Sequence, residues 1–197
     1  LKFIVRPPPF VADLIYHLAD MHIRNAQLSD MDAIYALDHS FITDHVWQQS
    51  SGGNNAELQT IFRLAKLPRQ ISVPFPHDAR ALQRCLHRCD FVWVALDTSH
   101  EVVGYLGMTM IAWQNTGWIP VLAVAPKSRR QGIATKLLQV ALSQAKQERA
   151  HSITLDVPTK NYPATQFCLA RGFRFAGFAD NYYDTHDIAL FFSHRIR

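Results

Sequence analysis

Cysteine is scarce in this chain: three in 197 residues, Cys85, Cys89 and Cys168. Three thiols cannot build a disulfide framework, which excludes a small stapled fold and favours a reducing, cytoplasmic location. Cys85 and Cys89 stand four apart with His87 between them, and a metal site would need more ligands at the right spacing. They read as two half-buried thiols, and no metal is expected. No run reaches the ~18 consecutive apolar residues of a membrane span, so no membrane partner is expected either. Charge of one sign is lacking too. A net charge of +4 is too mild to argue for nucleic acid, though it suits an anionic small ligand. There is no internal repeat and no low-complexity tract.

What is present is a core. Apolar residues make up 48% and charged residues 18% of the sequence, enough for one ordinary globular domain. We place that domain at residues 21–197, after an extension over residues 1–20. The extension holds a triple proline, Pro7 to Pro9, and lacks the charged start, apolar middle and cleavage site of a secretory signal. An ordered extension, a remnant of a targeting segment and translation from an upstream start all stay open.

The pattern along the chain predicts a short strand over His22 to Ala26, then a helix capped by Ser29 and running to about His39. From Phe41 to His77 the sequence is polar or broken by prolines. It reads as a long functional loop, a lid or substrate wall, with a short helix near Glu57 to Lys66. A helix over Asp78 to Arg88 follows. Three strands, Phe91 to Asp97, Val102 to Gln114 and Trp118 to Val124, make an antiparallel meander. A helix from Gly132 to Arg149, a strand over Ser152 to Val157 and a helix from Tyr162 to Ala170 come next, the last closed by Gly172 in a left-handed cap. Strands over Arg174 to Phe178 and Asp187 to His194 finish the chain. This order is a mixed α/β sheet with helices on its faces.

The junction "LAVAPKSRRQGIATKLL" carries the chemistry. A strand ends, a basic loop follows, and Gly132 opens a long helix. The first turn of a helix has unpaired N–H groups and roughly half a positive charge. Glycine lets a ligand approach that backbone, and the arginines add charge and donors. The physical product is a diphosphate cradle. Two rivals stand beside it: a basic loop that merely faces water, and a dinucleotide site with Asp156 downstream. The second needs three glycines where the loop has one, and an antiparallel meander precedes it.

Arg129-x-x-Gly132-x-Ala134 after "LAVAP" resembles the R/Q-x-x-G-x-G/A loop of the GNAT superfamily of acyl-CoA-dependent N-acyltransferases. The stretch "LDVPTKNYPATQFCLARGF" is similar to that family's downstream segment, with Asn161, Ala164, Gly172 and Phe173 at matching places. The resemblance implies the GNAT acyl-CoA acyltransferase fold, a mixed, mostly antiparallel twisted sheet with helices on both faces. It implies acetyl-CoA as co-substrate in a gap where the strands ending at Val124 and Val157 splay apart. Leu122, Ala123 and Val124 would pair with the pantetheine arm through their backbone. Arg130, Gln131, Gly132, Ile133, Ala134 and Thr135 would wrap the diphosphate, with Arg129 supporting charge from its base. Asn161 would hydrogen-bond the pantetheine or order a water.

The chemistry needs a proton acceptor, because an amine attacks a thioester only when neutral, and a donor for the departing thiolate. Asp156 stands where some protein-acetylating members carry a glutamate base; a structural carboxylate is the alternative. Cys168 stands where many members carry a donor tyrosine. It is either a thiol donor or a small buried residue beside the coenzyme sulfur, with Tyr162, Tyr182 and Tyr183 as substitutes. Trp47, Trp113 and Trp118 are candidates for a substrate wall or for core. His100, His151 and His186 read as solvated surface.

The leading expectation is transfer of acetyl to a primary amine, by direct attack in a ternary complex. The acceptor is a protein N-terminus or lysine, or a small amine or antibiotic; the tail "FADNYYDTHDIALFFSHR" is similar to the end of streptothricin-type acetyltransferases. The alternative is a degenerate acyl-CoA-binding sensor or regulatory module. Members of this family often dimerise, so a homodimer is compatible with the sequence without being fixed by it.

Overall fold

Alternation along Phe91–Leu96 sets the plan of the molecule. In this computed structural model, which describes residues 21–76 and 78–196, Trp93 and Ala95 join one hydrophobic cluster while Val94 and Leu96 join another. Successive side chains of a strand point to opposite faces, so this strand is covered on both sides. The extension over residues 1–20 lies outside the described residues.

In chain order the elements are β1 (His22–Asn25), α1 (Met31–Ala36), β2 (Phe41–Asn54), β3 (Glu57–Val73), α2 (Ala79–Arg88) and β4 (Phe91–Leu96). Then come β5 (Val102–Ile111), β6 (Thr116–Val124), α3 (Ile133–Gln147), β7 (Ser152–Pro158), α4 (Tyr162–Ala170), β8 (Arg174–Ala179) and β9 (Ala189–Arg195). Seven strands form one sheet in the order β1-β4-β5-β6-β7-β9-β8, and β2 with β3 forms a separate two-stranded hairpin. Within the large sheet every neighbouring pair is antiparallel except β6 with β7. This is the expected mixed, mostly antiparallel α/β fold.

One face is packed by α3, which buries Ile133, Leu137, Leu138, Ala141 and Ala145 at helical spacing, together with Cys168 of α4. The opposite face is packed by Ile34 of α1 and by Leu82 and Leu86 of α2, against Tyr105 and Val121. Helix ends follow local chemistry. The Asp78 carboxylate accepts the Ala81 N–H at 2.6 Å and caps α2. At the end of α4, Gly172 takes φ 81° while the Phe173 N–H donates to the Cys168 carbonyl and the Gly172 N–H to Leu169. That is a Schellman closure, and it swings Phe173 into the core at 2% exposure.

Two expectations are corrected. The region from Phe41 onward is a long β-hairpin, and the helix expected near Glu57 to Lys66 is a strand. The prolines misled: the register steps from Thr43↔Ile71 to His45↔Lys66, so Pro68 falls in a wide bulge where no ladder N–H is required. Ser29 does not cap the first helix. That helix has no side-chain cap; the Asp30 carboxylate instead closes the short 3-10 turn before it, accepting the Gln27 N–H at 2.6 Å while Arg24 grips it from β1.

Candidate active site

The parallel pair β6·β7 is short, and Pro120 shows why. Thr116 to Ile119 pair with Ser152 to Leu155, and there the pairing ends. The next β6 residue is Pro120, which has no N–H to donate. On the other side, the β5·β6 register passes from Thr109↔Trp118 to Gly107↔Val121, so Ile119 and Pro120 together face Met108 in a bulge. A bulge bends its strand and a proline stops its ladder. Beyond them β7 stays with β9, through Asp156↔Phe191 and Val157↔Leu190. The second half of β6, with Leu122, Ala123 and Val124, stays with β5. A gap opens between the two strands, and the β6 backbone presents an unpaired edge to it. An edge of this kind accepts an extended chain by hydrogen bonding.

At the end of β6 the basic loop is folded tightly. The Arg129 Nε donates to the Val124 carbonyl at 2.8 Å, and one terminal nitrogen reaches the Asp38 carbonyl at 3.4 Å. Arg129 is therefore a brace across the loop, and burial lowers the pKa of its guanidinium. Arg130 and Gly132 both take left-handed φ, 65° and 84°. The Gln131 side chain donates to the Lys127 carbonyl. The Gly132 carbonyl accepts the first bond of α3, from the Lys136 N–H. The N–H groups of Ile133, Ala134 and Thr135 thus precede the helix ladder. A Cβ added at Gly132 would meet nothing within 4 Å, so the space before these amides is open. Free amides, a helix N-terminus and flanking cationic residues make a site for an anion.

Across the gap, Asp156 is half-buried on β7. The Tyr183 hydroxyl donates to its Oδ2 at 2.6 Å. Loss of hydration pushes the Asp156 carboxyl up to about 6, against the opposing pull of that hydrogen bond. Tyr183 is 4% exposed, and burial together with the Asp156 charge raises its own pKa, so the phenol keeps its proton. Aromatic rings run away from this pair: Tyr183 to Tyr182 at 5.1 Å, Tyr182 to Phe191 at 5.5 Å and Phe191 to Trp118 at 5.7 Å between centroids. A carboxylate of tunable charge beside an aromatic wall suits an alkylamine. Trp113, by contrast, is 84% exposed and stands apart from this wall.

Asn161 and Cys168 both belong to the segment that follows β7. Asn161 N-caps α4, its Oδ1 accepting the Ala164 N–H at 3.1 Å. Cys168 lies beneath α4 at 2% exposure, and burial pushes its thiol up to about 12. The hairpin closes one side. Trp47 Nε1 donates to Thr165 Oγ1 at 3.2 Å, the Trp47 N–H donates to the Thr159 carbonyl, and Phe62 meets Phe175 and Phe178. At its base, a cavity of about 100 Å³ is lined by Phe41, Val73, Pro74, Pro76, Pro158, Lys160, Thr185 and Asp187. His100, His151 and His186 are exposed. Among the described residues no His, Cys, Asp and Glu cluster could hold a metal ion, and no helix is long and apolar enough to cross a membrane.

Sequence reasoning missed Pro120 as the cause of the gap and had no physical ground for preferring Tyr183 among the tyrosines. The first was readable: a proline inside "WIPVLAV" breaks a central strand. The second depends on a loop that no local signal closes.

Comparison with known proteins agrees with the fold. The chain is 26% identical over 161 residues to the streptothricin acetyltransferase of Streptomyces lavendulae, a match covering 82% of this chain and 85% of that one. A crystal structure of nourseothricin acetyltransferase superposes with a TM-score of 0.78 at 23% identity, covering 90% of this chain and 99% of the other. A Bacillus anthracis structure in complex with acetyl coenzyme A superposes at 0.69 with 19% identity, over 90% and 98% of the two chains. The sequence model of the acetyltransferase (GNAT) family matches residues 58–173. That span runs from β3 to the end of the α4 closure and takes in the gap, the cradle and Asp156; the chain belongs to the GNAT family of acetyltransferases.

Proposed function

We propose that the protein is an N-acetyltransferase that moves the acetyl group of acetyl-CoA to a primary amine bound beside Asp156, by direct attack in a ternary complex. The observation that supports this reading is the half-buried Asp156, bonded by the Tyr183 hydroxyl, on β7 just past the point where its pairing with β6 ends. When bound, acetyl-CoA supplies an activated acetyl thioester. The residues from Arg130 to Thr135 hold its diphosphate, and Leu122, Ala123 and Val124 offer their strand edge to its pantetheine arm. The Asn161 amide nitrogen is left for the same arm or a water. Asp156 does the proton work: a carboxylate of pKa about 6 is largely ionised at pH 7 to 8, and can draw a proton from an alkylammonium as it is delivered. Cys168 keeps its proton through this range, so its part is either that of a thiol donor to the leaving sulfur or of packing beside it.

The acceptor is a cationic amine. The aromatic run from Trp118 to Tyr183 and the Asp156 charge favour an aliphatic ammonium, and the likeness to streptothricin acetyltransferase favours an antibiotic of that class over a peptide N-terminus or lysine. The test is calorimetric titration with acetyl-CoA, followed by thiol release over streptothricin, aminoglycosides, polyamines and peptides with free amines. Acceptor-dependent release supports the enzyme and names its substrate class. Asp156→Asn should lower turnover at least 100-fold with coenzyme affinity unchanged. Cys168→Ala should lower it only if the thiol donates. Binding without release from any acceptor replaces this reading with a non-catalytic acyl-CoA sensor.

A further inference from the structure

The connection between β8 and β9 is built to aim one hydroxyl. Asn181 and His186 take left-handed φ of 48° and 59°, which folds the segment back on itself. The N–H groups of Tyr182 and Tyr183 both turn to the Asp187 carbonyl, and the His186 N–H donates to Tyr183. The Asp187 side chain anchors the fold from outside, pairing with Lys160 Nζ and accepting the Thr185 hydroxyl at 2.9 Å. Lys160 immediately precedes Asn161, so the anchor ties this connection to the coenzyme side of the gap. Held this way, Tyr183 is buried, and its hydroxyl meets Asp156 Oδ2 at 2.6 Å. The Asp156 Oδ1 receives no side-chain or backbone hydrogen bond from another described residue, which leaves it for the incoming amine.

We propose that Tyr183 is the positioning residue for Asp156: from the anchored connection its hydroxyl fixes the carboxylate, favours the ionised form and turns the second oxygen toward the acceptor. This rests on the reading of Asp156 as proton acceptor. A donor to one carboxylate oxygen stabilises the charged form, because the protonated acid has less to gain from it. A short hydrogen bond in a half-buried site is stronger than one in water. The other titratable groups that act on this site are Tyr182 and Asp187 of the same connection and Cys85 of α2. Tyr182, pushed up to about 12, is neutral across the working range. Cys85, when ionised, opposes the Asp156 charge and cannot substitute for the hydroxyl. Tyr183 itself stays protonated and acts only as a donor.

The experiment is the pH profile of kcat/KM for the wild-type protein, Tyr183→Phe and Asp156→Asn, with carbon NMR titration of the Asp156 carboxyl in coenzyme-free protein. Tyr183→Phe keeps the ring and removes the donor. Its acid limb should move up by about one pH unit, a loss of about fivefold at pH 6 that approaches tenfold below about pH 5 and fades toward pH 9, and the NMR titration should move in the same sense. An unmoved limb, or an equal loss at every pH, overturns the proposal. Asp187→Asn, which loosens the anchor without touching the hydroxyl, should move the limb in the same direction by less, and it carries the test if Tyr183→Phe does not fold. If Asp156→Asn retains turnover, the proton-acceptor reading itself is overturned, and this result is independent of the Tyr183 profile.

Discussion

Arg129 Nε and the Val124 carbonyl, 2.8 Å apart, join the last residue of β6 to the loop that opens α3. One hydrogen bond from a charged donor thus fixes where the strand edge stops relative to the anion cradle. Bonds of this kind contribute about 1.5–3 kcal/mol. Arg129→Ala should therefore weaken acetyl-CoA binding by about tenfold or more while leaving the fold intact, since Arg129 is partly exposed and the cluster beneath does not include it. Arg129→Lys should recover little, because a point ammonium cannot bond both the Val124 and Asp38 carbonyls in the same fork. Calorimetry on the two variants checks both statements.

Gly132 separates two effects that are often confounded. Its φ of 84° disfavours any L side chain, yet a Cβ there would meet no heavy atom within 4 Å. Gly132→Ala should thus lower stability by about 1 kcal/mol through backbone strain alone and reduce coenzyme affinity modestly. Gly132→Glu adds the same strain plus bulk and negative charge at the mouth of the cradle, and should abolish binding. Retained affinity in the glutamate variant would remove the loop from the site.

Much of this architecture was legible because local and global signals agree. The alternation in "FVWVAL", the glycine after "KSRRQ" and the closing "ARGF" each have one physical solution, and the structure adopts it. The hairpin over β2 and β3 was not legible, because Pro68 and the glycines suggest a loop unless the partner strand is already known. The candidate site divides the same way. The loop from Lys127 to Gly132 is written in consecutive residues, so its strand-to-helix turn can be read from the sequence. The Asp156–Tyr183 pair joins residues 27 positions apart through a connection set by Asp187, and nothing short-range records that contact.

The pair of Arg24 and Asp30 should govern acid stability at the start of the fold. Both terminal nitrogens of Arg24 reach the carboxylate, at 2.6 and 2.8 Å, and Asp30 is 7% exposed. The Arg24 hydrogen bond, with help from the Gln27 N–H, holds the Asp30 pKa below its ordinary value against the opposing loss of hydration. A depressed folded-state pKa gives stability that is present above the unfolded value near 3.9, and lost as pH falls through the lower folded value. Asp30→Asn should cost about 1–3 kcal/mol at pH 7. That deficit should shrink below about pH 4, where the wild-type carboxylate also becomes neutral. Thermal unfolding from pH 2 to 7 measures it; a constant deficit would mean that the charge is irrelevant and only shape matters.

Asp156 predicts the opposite sign. Its folded-state pKa of about 6 lies above the ordinary value of 3.8 because burial disfavours the charged form. A raised folded-state pKa gives stability that is full below the unfolded value and lost as pH rises through the folded one. A rise of this size corresponds to about 3 kcal/mol at most, so at pH 7 the ionised carboxylate destabilises the fold by about 1–3 kcal/mol. Asp156→Asn has nearly the same shape and still accepts the Tyr183 hydroxyl, but carries no charge to bury. It should raise the unfolding temperature at pH 7 to 8 and lose that advantage near pH 4, while turnover collapses. A residue kept for packing would show the reverse, with stability lost and no pH dependence. A stabilised, inactive Asp156→Asn would identify a carboxylate retained for proton transfer at the expense of the fold.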